Sequence, residues 1–116
     1  MRFRGFTDRL RHAVRGVREG FSQEANFRIQ LLAACCAIAS LLWLRPPLIW
    51  AALIAILIGL VLAAELLNTA LERALDGLHP KEAEFVRIAK DCSAAAVLIL
   101  SATAAVVFLA MLTAIL

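Results

Sequence analysis

Glu65, Asn68, Glu72 and Asp76 occur at i, i+3, i+7 and i+11, a spacing that places three carboxylates and an amide on one face of a helix. They close an apolar run that starts at Leu48 and carries no charge as far as Ala64. Ionisable groups at the edge of a bilayer are costly unless they face protein or water, so the stripe marks a functional site. Phosphoryl transfer is chemistry that suits it. That reaction needs carboxylates to hold Mg²⁺, a cation to offset phosphate charge, and a group that orients or deprotonates an acceptor hydroxyl. Lys90, followed by Asp91, supplies the cation, and Glu24 a further carboxylate.

The elements that must position these residues follow from composition and periodicity. The chain has 116 residues, 63% of them hydrophobic, and a mean hydropathy of +0.86, which places it in a membrane. Phe6, Leu10, Val14, Val17 and Phe21 recur at spacings of three and four with charged residues largely opposite, predicting an amphipathic helix over residues 6–27 that lies in the membrane surface. A first span is expected over 29–44, ended by Arg45-Pro46-Pro47 between Trp43 and Trp50. A second runs over 48–76 with a polar extension, stopped by Gly77 and Pro80. The third occupies 81–116, its first ten residues a helical lead. The expected fold is thus an all-α membrane protein of one domain. A three-helix unit of this length buries little core, so oligomerisation is expected.

Depth and charge set the orientation. Seven of the twelve basic residues, Arg2, Arg4, Arg9, Arg11, Arg15, Arg18 and Arg28, precede the first span, four flank the second loop, one lies in the first turn and none follows the third span. The N-terminus and second loop are therefore expected in the cytoplasm and the C-terminus outside. At about 1.5 Å per residue Glu65 lies about 26 Å from Leu48, just inside the far boundary of a hydrocarbon core of about 30 Å. Glu24, Glu65, Asn68, Glu72, Lys90 and Asp91 then share one cytoplasmic stratum, where a lipid alcohol meets a soluble nucleotide.

Each residue also has a plainer use. Asp76 can end a solvated helix, Lys90 can snorkel to the interface beside Asp91, Asn68 can join helices, and Glu24 can pair with Arg28 at i+4. Cys35, Cys36 and Cys92 are odd in number and lack metal-ligand spacing, so they read as packing residues. No cleavable signal peptide is evident. The arginines lack the aromatic interleaving of a nucleic-acid platform, which argues against nucleic acid as a partner.

Ala64-Glu65-Leu66-Leu67-Asn68-Thr69-Ala70-Leu71-Glu72 resembles the E-[LI]-[LI]-N-[ST]-A-[LI]-E signature of the small bacterial diacylglycerol kinase family. Ala89-Lys90-Asp91 with Ala94-Ala95-Ala96-Val97-Leu98, and Glu24-Ala25-Asn26-Phe27-Arg28-Ile29, are similar to two further blocks of that family. The resemblance covers nearly the whole chain. It implies a homotrimer in the bacterial inner membrane, with composite active sites between subunits, that uses MgATP to phosphorylate a lipid alcohol. By position it implies that Glu65 activates the acceptor hydroxyl, that Glu24 and Glu72 hold Mg²⁺, and that Asn68, Lys90 and Asp91 surround the phosphates, with Asp91 positioning Lys90. Glu82 and Glu84 fall in the nucleotide-contacting loop, His12 where a Tyr often meets nucleotide, and Ala94 where some members have a Ser near the lipid. The family includes diacylglycerol and undecaprenol kinases. Diacylglycerol is the first expectation and undecaprenol the alternative. A non-enzymatic reading is an oligomeric proton or cation channel with Glu65 as relay, against which the Lys90-Asp91 pair and the carboxylate set favour the kinase.

Overall fold

The computed structural model describes residues 5–116; Arg2 and Arg4, counted among the basic residues above, lie outside them. Four helices follow in order: α1 Phe6–Gln23, α2 Ala25–Leu44, α3 Leu48–Leu78 and α4 Glu84–Ile115. The last three are each long and apolar enough to cross a membrane. Helices α2 and α4 both pack on α3, and α1 touches α2 and α3.

The helix expected to continue to residue 27 breaks at Glu24, which is extended at φ −120° and ψ 112°. Two side chains make that break. Phe27 is buried against Gly20, where an added Cβ would stand 3.5 Å from the Phe27 ring and 2.7 Å from Leu66 Cδ2, so the lack of a side chain at Gly20 lets α1 lie close to α3. Arg28 turns back and donates to the Phe21 carbonyl at 2.8 Å, satisfying a backbone acceptor that the end of α1 leaves unpaired. The first span consequently begins at Ala25, four residues before the expected boundary, because the helix continues through the Arg28 charge that hydropathy reads as an edge.

The α2–α3 turn matches its residues. Arg45 takes the left-handed conformation, φ 49° and ψ 56°, as C-terminal helix caps do. Pro46 and Pro47 follow, and Pro47 is the N-cap of α3, which starts at Leu48. Gly77, expected to stop α3, lies inside it, and the helix ends at Leu78 with His79 as its cap. The helical lead expected from residue 81 begins only at Glu84: Ala83 is extended, and Lys81 and Glu82 are non-helical. His79 organises this turn by stacking edge-on against Phe85, ring centroids 4.9 Å apart, and by a 2.9 Å contact of its Nδ1 with the Lys81 carbonyl.

The core is a thin seam of Phe27, Ile54, Leu57, Val61 and Met111, with Glu65 the buried charged residue. In lipid such a seam gains from close packing, since hydrocarbon solvates apolar side chains as well as protein does. Within each span only 11–17% of the apolar window is buried, so most of every helix is left for lipid or for another chain to cover.

Candidate active site

At about 1.5 Å per residue, α3 is about 46 Å long and outreaches a hydrocarbon core of about 30 Å. Its last four turns carry the polar stripe. Glu24, at the α1–α2 junction, accepts a 3.0 Å hydrogen bond from Arg73 of α3, which ties that junction to the C-terminal end of α3. The expected pairing of Glu24 with Arg28 is absent, because Arg28 caps α1 instead. Glu65 is 5% exposed. The charges of Glu72 and Glu24 act on it. Glu72 accepts from Asn68 Nδ2 at 3.2 Å, one helical turn away on the same face. Asn68 Oδ1 is buried with no hydrogen-bond partner among the described residues. Asn68 and Glu72 are thus joined on one face of α3, and Arg73, the next residue of that helix, ties Glu24 to the same end of the bundle.

The second half of the site lies between α3 and α4. Lys90 Nζ donates to Asp76 at 2.7 Å and stands in the field of Glu72. The expected Lys90–Asp91 partnership is not formed: Asp91 accepts from Arg87 at 2.9 Å, and Arg87 also bonds Glu84. Adjacent residues on a helix point about 100° apart, while Arg87 and Asp91 are i and i+4 and share a face. Asp76, which reads equally as a solvated helix end, is the residue that holds Lys90. Glu82, Glu84, Arg87, Lys90 and Asp91 line an open depression of about 550 Å³. Ala94 is exposed on α4, one turn beyond Lys90, and His12 is half-buried on α1, eight residues or about 12 Å along the axis before Gly20.

Helices α2 and α4 do not meet along most of their length, and the gap over α3 is an apolar cavity of about 420 Å³, within the range of small-molecule sites. Ala34, Ile54, Leu57 and Phe108 line it together with the polar Gln30, Ser40 and Ser101, and Gln30 Nε2 donates to Ser101 Oγ at 2.8 Å. Gln30, Ser101 and Arg73 are absent from the sequence-derived site. Their only sequence signal is polarity within or beside apolar spans, and the contacts join residues 71 and 49 positions apart.

Among the described residues, no three His, Cys, Asp or Glu side chains stand together as a metal cage. Mg²⁺ does not require one, since it is commonly held by one or two carboxylates and the phosphates of its substrate. The hard oxygen donors of Glu24 and Glu72, and the unpartnered Asn68 Oδ1 beside Glu72, fit that ion.

The arrangement can hold an anionic phosphate donor near Lys90, with the buried Glu65 carboxylate one helical turn beyond Leu62, the last α3 residue that lines the apolar cavity. The prokaryotic diacylglycerol kinase family matches residues 11–112. Over 99 residues the chain is 40% identical to a diacylglycerol kinase of Synechocystis, an alignment covering 84% of this chain but 56% of that protein, so the match spans little more than half its length. An undecaprenol kinase of Bacillus subtilis is 33% identical over 83% of this chain and 78% of its own, and a diacylglycerol kinase of Escherichia coli is 33% identical over 82% and 80%. None of these relatives gives the channel reading support. With the family match covering most of its length, the chain belongs to the prokaryotic diacylglycerol kinase family.

Proposed function

We propose that this protein is an ATP-dependent lipid kinase that transfers the γ-phosphate of ATP to the hydroxyl of diacylglycerol, giving phosphatidic acid. The observation that carries the reading is the buried Glu65 carboxylate, flanked by the Glu24 and Glu72 charges, at the end of the bundle where Lys90 lies between α3 and α4. Glu65 accepts the proton of the lipid hydroxyl as its oxygen attacks the γ-phosphorus; the bond from that phosphorus to the β,γ-bridging oxygen breaks, and ADP leaves. Lys90, held by Asp76, offsets phosphate charge. Asn68 orients Glu72 and Asp91 orients Arg87 at the margin of the site. Glu24 and Glu72 are the residues that would hold Mg²⁺, which when bound neutralises the phosphate oxygens. His12, Glu82 and Glu84 contact the nucleotide, and Ala94 lies near the acceptor.

Three spans with so little of their surface buried do not surround a lipid and a nucleotide. The working form proposed is a homotrimer in the bacterial inner membrane, with sites shared between subunits, the N-terminus and site cytoplasmic and the C-terminus outside. Undecaprenol is the second reading, supported by the relative of that activity. Purified protein given labelled ATP with diacylglycerol and undecaprenol side by side decides between them: faster labelling of diacylglycerol is expected. Faster labelling of undecaprenol makes it the acceptor, and labelling of neither overturns the kinase.

A further inference from the structure

Most ion pairs of the described residues close within one helix: Arg11 with Asp8 on α1, and Arg87 with Glu84 and Asp91 on α4. Two cross between elements, both at the end of the bundle that carries the polar stripe. One joins Lys90 to Asp76; the other joins Arg73 to Glu24, Nη2 to Oε1 at 3.0 Å. Each member of that second pair has a nearer candidate in the chain. Arg73 has Asp76 at i+3 on its own helix, but Asp76 takes Lys90. Glu24 has Arg28 at i+4, but Arg28 bonds the Phe21 carbonyl. With those partners taken, the α3 guanidinium meets the one residue between α1 and α2, whose backbone is extended.

We infer that Arg73 competes with the divalent cation for Glu24, so that the resting site keeps the bare ion out and the α1–α2 junction stays tied to α3 until the cation takes the place of the guanidinium. The inference rests on the proposed role of Glu24 as a metal ligand. The oxygen that accepts from Arg73 is one of the two the carboxylate has to offer. A charge of +2 on that carboxylate meets the guanidinium charge across a single side chain, a repulsion that weakens binding about ten-fold even in water. The pair is also exchangeable. Its side chains are 56% and 26% exposed, and ion pairs that water reaches hold weakly. An ion that arrives with nucleotide meets a different balance, because phosphate oxygens give the freed guanidinium a partner of matching geometry. The bare ion brings no such compensation.

The test is a binding measurement on purified protein without nucleotide. Mn²⁺ prefers the same hard oxygen donors as Mg²⁺, and its free and bound forms are told apart by electron paramagnetic resonance. Arg73→Ala and Arg73→Gln should each bind Mn²⁺ about ten-fold more tightly than wild type, whereas Arg73→Lys, which keeps the charge, should stay within about three-fold of wild type. A pair that only ties the junction to α3 gives the opposite sign, since Glu24 loses its orientation when Arg73 is removed. Unchanged or weaker Mn²⁺ binding in Arg73→Ala and Arg73→Gln, with Glu24→Gln weakening it as loss of a ligand should, overturns the competition and leaves the metal role of Glu24 standing. Arg73→Lys binding as tightly as Arg73→Ala overturns it too, because charge is then not the cause. Mn²⁺ binding that Glu24→Gln does not weaken overturns the metal role itself, and the inference with it.

Discussion

Asn68 offers a test in which stability and activity should part. Asn68→Ala removes the 3.2 Å bond from Nδ2 to Glu72, and hydrogen bonds to charged acceptors contribute about 1.5–3 kcal/mol. The same change removes Oδ1, which is buried and unpartnered among the described residues and costs about 1–3 kcal/mol in lost hydration. The two effects offset, so the stability of the variant, read by SDS titration in mixed micelles, should lie within about 1 kcal/mol of wild type. Activity should not be spared. Glu72 loses its tether and the site loses an amide oxygen beside the phosphates, so turnover should fall roughly ten- to a hundred-fold, the kinetic equivalent of the lost bond. A destabilisation above about 2 kcal/mol with modest loss of turnover would mean that Oδ1 is satisfied and that Asn68 joins helices. Wild-type turnover would remove Asn68 from the site altogether.

Further outcomes follow from the same geometry. Glu72→Gln and Glu24→Gln should each raise the Mg²⁺ concentration needed for half-maximal rate, because each neutralisation removes a hard ligand; an unchanged Mg²⁺ titration in both would exclude them as ligands. Lys90→Ala should lower turnover about a hundred-fold or more. Asp76→Asn should cost only a few-fold, because its pair with Lys90 is open to solvent, the two side chains 63% and 35% exposed; equal losses would show that Lys90 works only when Asp76 holds it. At Gly20, Gly20→Ala needs only the tip of Leu66 to swing and should be tolerated, whereas Gly20→Leu should destabilise by about 1–3 kcal/mol through overpacking. Equal SDS midpoints for the two variants would contradict the close approach of α1 to α3.

Much of this organisation could be read from one dimension. The uncharged run from Leu48 to Ala64, the Pro46-Pro47 stop and the spacing of Glu65, Asn68 and Glu72 are local signals, and local signals determine helices and their faces. Element ends were less legible. The break at Glu24 has no Pro or Gly at its position; it depends on Phe27 burying itself against Gly20 and on Arg28 folding back to Phe21, both tertiary events. Ion-pair partners were the least legible. Lys90-Asp91 are neighbours in the chain and point apart in space, whereas Lys90–Asp76 and Glu24–Arg73 join residues 14 and 49 positions distant. Gln30 and Ser101 give no sequence signal of their bond, because a single amide or hydroxyl in an apolar span has no local partner to announce it.

The central claim is that a buried carboxylate on α3 takes the proton from a lipid hydroxyl. Glu65→Gln keeps the shape of the side chain and removes the base, so transfer of labelled γ-phosphate to diacylglycerol, measured on purified protein at saturating ATP and Mg²⁺, tests it most directly. Lipid labelling should be abolished while the SDS unfolding midpoint stays close to that of the active wild type. Labelling at the wild-type rate by a folded Glu65→Gln protein would contradict the claim.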